Sequence, residues 1–355
     1  MQTHYYLGAN TPEGFYSLYH KYIRDDDRLF IIKGSPGSGK STFMKKLAAE
    51  MEPYGLETEL IHCSGDPDSL DGVYFPELGI AYADGTAPHV LEPVFAGVRE
   101  TYLNFAECLD TEGLWRDREQ IYEFNSKYKG EYQKAYSALA AAKAAMKEVY
   151  DGIADLNAKE QTVKKAASLA RRVLKKFDSA PSVKERFTDA LTCKGWIRRY
   201  DTIQTLAEEI YLVDSAFGLN WLFAETVAKK AVENNWNVII CRDPLYPERI
   251  AHVIVPQACL AVVSGCGTEL PQWNAGTIRL DSVLSKGTIR DAKDIVVKRR
   301  KMYDELISEG QEHLAGAKEY HDRLEAVYRP HADFAPADRL FEEHSAMLKS
   351  KAGDK

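Results

Sequence analysis

Short apolar runs bounded by turn residues punctuate the first third of the chain. Leu29-Phe30-Ile31-Ile32, Leu60-Ile61 and Leu78 to Ala83 each read as a strand, and a helical spacing through Phe43, Met44 and Leu47 falls between the first two. The same succession returns downstream as Ile210 to Val213, a helix around Val227-Ala228, Ile239-Ile240-Cys241 and Ala258 to Val263. The intervening stretches have another texture. Leu114 to Lys176 is rich in Ala, Lys, Glu and Tyr, holds almost no Gly or Pro, and includes the helix-favouring run Tyr136 to Met146. A similar stretch runs from Ile289 to Lys351, broken at Arg329-Pro330. Apolar residues recur at helical spacing in both while the other faces are charged, so each is expected to form an antiparallel helical hairpin projecting from its α/β unit.

The two sets of strands are copies. Ala9-x-Thr11-x-x-Gly14 precedes the first strand, and Ala190-x-Thr192-x-x-Gly195 precedes its counterpart 181 positions later. Leu47-Ala48 and Val227-Ala228, like Pro76 and Pro256, lie 180 apart, and Asp66-Pro67 and Asp243-Pro244 follow the second strand of each copy. Strand, helix, strand, short loop, strand is the pattern of an α/β protein with a parallel sheet, here duplicated.

Composition changes this picture little. With 355 residues, 45% hydrophobic and 28% charged, the chain can bury more than one core. A net charge of -7 gives no general attraction for nucleic acid or anionic lipid. The basic clusters Arg171-Arg172-Lys175-Lys176 and Lys298 to Lys301 sit in charge-rich helical stretches and read as solvated helix faces. No apolar run approaches the roughly 18 residues of a membrane span, and Met1 to Asn10 lacks a basic region followed by an apolar one, so a cytoplasmic protein without membrane partners is expected. Cys63, Cys108, Cys193, Cys241, Cys259 and Cys266 form no C-x-x-C pair and no zinc-like set with histidines, which suits free thiols.

The chemistry is concentrated in Gly34-Ser35-Pro36-Gly37-Ser38-Gly39-Lys40-Ser41, which follows an apolar strand and opens a helix, the setting that a P-loop requires. Glycines let the backbone curl around phosphate, the helix N-terminus favours an anion, Lys40 reaches the β- and γ-phosphates, and Ser41 offers a hydroxyl to Mg²⁺. Thr42 completes the nucleotide-binding stretch. A carboxylate for the metal is expected at the end of a neighbouring strand, where Asp84 stands. For orienting water, Thr86 and His89 are the candidates beyond it, with Asp66 and Asp68 nearby; Arg28, Arg99 and Arg116 are candidates for charge stabilisation.

These stretches resemble a family of uncharacterised bacterial ATPase-like proteins with two tandem P-loop domains. The residues that carry the resemblance are Ala9 to Gly14, Ile32 to Thr42, His62 to Gly72, Ala83 to His89 and Ala317 to Glu325. It implies nucleotide binding and a duplicated architecture; the nucleotide expected from the loop is ATP, and the units fall at 1–113 and 181–284 as P-loop NTPase-type domains with helical extensions at 114–180 and 285–355. In the second copy, setting Ser215 opposite Ser35 places Asp214 at Gly34, Leu219 at Gly39, Asn220 at Lys40, Trp221 at Ser41 and Ser264 at Asp84, so that half is read as non-catalytic. Three functions fit: an ATPase whose hydrolysis drives a conformational change or an interaction, a nucleotide or small-molecule kinase, and a non-catalytic ATP-gated module whose helical extensions bind a protein. Oligomeric state is not legible.

Overall fold

The structure, a computed structural model, describes residues 1–88, 90–265 and 274–353. The first half contains β1 (Gln2–Tyr5), β2 (Gly8–Thr11), β3 (Gly14–Ser17), β4 (Arg28–Lys33), α1 (Lys40–Met51), β5 (Thr58–His62), β6 (Leu70–Phe75), β7 (Ile80–Asp84) and β8 (Glu100–Asn104). Helices α2 (Thr111–Arg116), α3 (Arg118–Lys147) and α4 (Leu156–Val173) follow. The second half repeats the order with β9 (Val183–Arg186), β10 (Asp189–Thr192), β11 (Gly195–Arg198), α5 (Tyr200–Leu206), β12 (Glu209–Asp214), α6 (Asn220–Glu233), β13 (Val238–Arg242), β14 (Ile250–Val255), β15 (Leu260–Gly265) and β16 (Thr277–Arg279). Helices α7 (Lys286–Tyr328) and α8 (Ala335–Gly353) close the chain. Among the described residues no helix is long and apolar enough to cross a membrane.

The duplication is visible in the topology: β1-β5-β6-β7-β4-β8 in one six-stranded sheet, β9-β13-β14-β15-β12-β16 in the other. The sheets are mixed rather than parallel, which corrects the expectation above. β6 and β14 run antiparallel to both neighbours. The cause is loop length: the turn in which Ser69 N donates to Asp66 O at 2.9 Å sends the chain straight back after β5, and a parallel return would need a crossover. All six residues of β6, and all six of β14, are buried, so neither strand shows the alternation that would announce it.

Successive residues of the strands face opposite cores. Leu29, Ile31, Ala81 and Ala83 of one sheet face Ile210, Ile239, Ala261 and Val263 of the other across a shared core. Phe30, Ile32, Ile80 and Tyr82 point outward beneath α1 and α8, and Tyr211, Val213, Leu260 and Val262 beneath α6 and α4. The helical stretches are therefore not self-contained hairpins. α3 pairs along its length with α7, where Gly310 lets Leu139 approach closely, while α4 covers the second sheet and α8 returns to cover the first. Two sheets with apolar outer faces each demand a cover, and that demand outweighs a local hairpin.

The halves are joined along a polar seam. Tyr6 and Phe187 exchange main-chain hydrogen bonds of 2.8 and 2.9 Å. Beside them Arg186 and Glu59, both fully buried, pair at 2.9 Å, with Lys184 on the second carboxylate oxygen. Arg186 also donates to the carbonyls of Lys21 and Tyr22. Burial alone would raise the Glu59 pKa; Arg186 and Lys184 overcome it and hold the group down at about 2.

Removing Arg186 strands that carboxylate, so Arg186→Met is expected to cost about 3–5 kcal/mol, read as a lower urea midpoint at neutral pH. The pH dependence follows from the lowered pKa. The folded chain gives up the proton of Glu59 more readily than the unfolded one, so this contribution is complete above the ordinary value of 4.5 and vanishes as pH falls towards about 2. In Glu59→Gln the part of the midpoint's acid sensitivity that arises in this window should disappear.

Candidate functional site

The loop between β4 and α1 leaves a strand that is buried on both faces, which fixes its root. Gly37 and Gly39 have φ of 74° and 90°, the left-handed region that a side chain disfavours, and Gly39 is the N-cap of α1. Gly34 has no room for a side chain: a Cβ there would lie 2.6 Å from Ser38 Oγ and 2.8 Å from Phe105 Cβ. Ser38 Oγ donates to the carbonyl of Ser35 at 2.9 Å and closes the curve. Among the described residues no intramolecular acceptor takes the amide N–H of Gly39, Lys40, Ser41 or Thr42, so these donors form the open positive end of α1.

Lys40 is 9% exposed and folds back over its own loop, donating to the carbonyls of Gly34 and Ser35 at 3.1 and 2.8 Å. Its Nζ lies 3.5 Å from Asp84 Oδ2. Asp84 ends β7 and pairs in parallel register with Ile32, the penultimate residue of β4, so the carboxylate stands at the root of the loop. Thr86 fixes it through N–H and hydroxyl bonds of 2.9 and 2.5 Å to Oδ1. Ser41 Oγ accepts from Leu70 N at 2.9 Å, which leaves its proton and second lone pair for other partners. Lys40, Ser41, Asp84 and Thr86 are thus brought to one loop mouth. Thr42 is exposed on the first turn of α1, and His89 lies outside the described residues. Arg28 and Arg99 stand at the opposite end of the sheet, where β4 and β8 begin, so neither reaches the loop.

The loop is covered by the far end of the chain, which sequence reasoning missed. A Cβ on Gly37 would lie 3.6 Å from the carbonyl of Glu325, near the end of α7, and one on Gly39 would lie 3.5 Å from the ring of Phe334. The only sequence signal was the stretch Ala317 to Glu325. On the same helix Lys318 lies 3.5 Å from Asp66, and His321, Asp322 and Glu325 place ligand atoms within 4.8 Å of one another, close enough to share a cation.

The second half treats its loop differently. Strand register puts Asp214 opposite Lys33, not Gly34, because β12 is displaced by 181 positions and α6 by 180. The loop Ser215–Leu219 is therefore one residue shorter than Gly34–Gly39. Part of its donors are spent internally: Phe217 N and Leu219 N donate to Ser215 Oγ at 3.2 and 3.3 Å, and Ser215 Oγ and Ala216 N donate to Asp281 at 2.9 and 3.2 Å, while Asn220 N, Trp221 N and Leu222 N meet no intramolecular acceptor among the described residues. The ring of Tyr150 packs on Gly218, where a Cβ would meet it at 2.8 Å. A hollow of about 780 Å³ adjoins this loop, and in its lining Asp214, Asp281, Asp304 and Glu305 outnumber Arg300 and Lys301, a balance that disfavours phosphate. No family model, curated protein or solved structure matches the chain.

Burial, aided by the nearby Asp214, raises the Asp281 pKa more than the bonds from Ser215 and Ala216 lower it. Asp281→Asn, whose amide oxygen still accepts, should keep the thermal midpoint near that of the native chain. Asp281→Ala orphans Ala216 N and should cost about 1–3 kcal/mol in urea denaturation.

Proposed function

We propose that the chain binds ATP with magnesium at the Gly34–Ser41 loop and hydrolyses it, and that the second half is non-catalytic. The observation that carries the reading is the single mouth shared by Lys40, Asp84 and the open amides of α1, a cation, a carboxylate and an anion-binding helix end on one rigid strand–loop–helix unit. Lys40 would exchange the carbonyls of Gly34 and Ser35 for phosphate oxygens. Ser41 and Asp84 are the residues that would hold magnesium, which when bound supplies charge neutralisation on the β- and γ-phosphates. Both groups fit this role: Ser41 keeps a lone pair, and Asp84 has Oδ2 turned to Lys40 with Oδ1 fixed by Thr86. Because α7 and the segment before α8 lie on Gly37 and Gly39, phosphate entering the loop pushes on helices anchored across both halves. That contact supports coupling of hydrolysis to a conformational change over phosphoryl transfer to a small acceptor.

Phosphate release from ATP without an added acceptor tests the reading. Native chain should release phosphate in a magnesium-dependent manner, and Lys40→Ala should lower the rate at least about tenfold, since a charge-assisted contact contributes roughly 1.5–3 kcal/mol. Asp84→Asn should lower the magnesium-dependent rate more than it weakens metal-free nucleotide binding. Turnover that requires an acceptor would favour a kinase, and tight binding without turnover an ATP-gated module.

A further inference from the structure

The turn between β5 and β6 touches the glycine-rich loop and is held by parts of the chain far from it. Leu70, at its end, donates its N–H to Ser41 Oγ at 2.9 Å. Asp66 organises the turn: Oδ1 accepts from Asp68 N at 3.2 Å, Oδ2 from Ser69 Oγ at 3.3 Å, and the carbonyl from Ser69 N at 2.9 Å. Lys318 of α7 lies 3.5 Å from Asp66 Oδ2 and pairs with Asp322 at 2.5 Å, so one ammonium serves two carboxylates. Asp68 pairs with Lys194 of the β10–β11 hairpin, and its carbonyl accepts from Lys45 of α1 at 2.5 Å. Gly65 lies against α3, where a Cβ would be 2.5 Å from the Tyr132 hydroxyl.

The second half serves as an internal comparison, because it keeps the same backbone turn. β5 and β13 end, and β6 and β14 begin, 180 positions apart. The bonds from Cys63 N to Ser69 O and from Ser69 N to Asp66 O recur from Asp243 N to Arg249 O and from Arg249 N to Tyr246 O. Tyr246 therefore stands opposite Asp66, and Leu245 opposite Gly65. Both are buried in a core with Leu139 of α3 and Leu314 of α7, so α7 meets this turn through apolar contact. Glu248, opposite Asp68, keeps an ion pair, with Lys143 at 3.9 Å, which confines the difference to the position of Asp66. Trp221 stands opposite Ser41. The hydroxyl and the carboxylate that shapes its turn are thus present together in one half and absent together in the other.

The side chains of Lys318 and Asp66 are 27% and 23% exposed. An ion pair so placed contributes little to global stability, and its effect is on local geometry. Without the ammonium, Asp66 and Asp322 would face each other with no cation between them. Ser41 Oγ has one proton and two lone pairs; Leu70 engages one lone pair, so the directions of the others depend on where the turn holds Leu70. Lys318 and Glu325, about 10 Å apart along α7, reach the turn and Gly37 respectively, so this one helix touches both sides of the site.

We propose that Lys318 is a positioning residue of the nucleotide site: by holding Asp66 it fixes the Leu70 N–H that orients the Ser41 hydroxyl for magnesium. The role rests on the reading of the Gly34–Ser41 loop as a hydrolytic nucleotide site, and it makes α7 part of that site's control.

Two variants of the full chain test this, Lys318→Met, which keeps the stem and removes the charge, and Lys318→Arg, which keeps the charge. In Lys318→Met half-maximal phosphate release from ATP should require at least about tenfold more magnesium, because a slightly misplaced group is costly at a reacting site. Lys318→Arg should restore near-native magnesium dependence, since its guanidinium also bonds carboxylates. Metal-free binding of an ATP analogue, read by calorimetry, and the thermal midpoint should not change. Without nucleotide, amide exchange at Leu70 should accelerate in Lys318→Met alone. Asp66→Asn breaks the same pair from its other side. It should give the same magnesium shift, with the double variant no worse than either single one, and it carries the test should Lys318→Met not fold. The proposal is overturned if Lys318→Met folds with native magnesium dependence, if Lys318→Arg restores nothing, or if the effects of Lys318→Met and Asp66→Asn add. A native chain that releases no phosphate removes the hydrolytic reading and this role together; an unaltered Lys318→Met beside an active native chain removes this role alone.

Discussion

The ion pair between Arg186 and Glu59 is the constraint on which the arrangement of the halves depends. Two fully buried charges are stable only together and with their remaining hydrogen-bonding capacity used, which here requires the carbonyls of Lys21 and Tyr22 and the ammonium of Lys184. Those groups come from both halves, so satisfying the pair sets the inner faces of the two sheets against one shared core. Once the inner faces are committed, both outer faces need helices, and α4 and α8 supply them by crossing between halves. The placement of Glu325 and Phe334 on the glycine-rich loop is a consequence of that crossing.

The duplicated halves have diverged where chemistry would occur and not where they fold. Strand order, hairpins and helix starts correspond, yet the first loop carries a buried lysine, whereas the second is one residue shorter and turns the amides of Ala216, Phe217 and Leu219 onto Asp281 and Ser215. A carboxylate of the chain itself sits where an anion would be bound. The second half carries Asp189 and His252 in a region that the first half packs with Tyr22.

Much of this was legible in the sequence, for identifiable reasons. β4, β7 and α1 announce themselves because one apolar period ends at a glycine-rich turn and another begins beyond it, and Asp84 was found because a carboxylate at a strand end stands out against Ile80 to Ala83. β6 and β14 were missed because Asp71-Gly72 and His252 interrupt their apolar runs although every residue of both strands is buried, and with them the mixed character of the sheets. The helical stretches were recognised, but amphipathic periodicity shows that a face is buried without saying against what; α3 and α7 find each other over the length of the chain. The one-residue slip at the second loop was invisible because Ser215 aligned with Ser35 as readily as the strand register aligns it with Gly34.

The central claim is that one half holds the nucleotide and the other does not. Counting bound nucleotide addresses it most directly, by calorimetric titration of the full chain with a non-hydrolysable ATP analogue and magnesium. One site per chain, with its binding heat lost in Lys40→Ala, is the result this account predicts. A second saturable site, or a site that persists in Lys40→Ala, would contradict it.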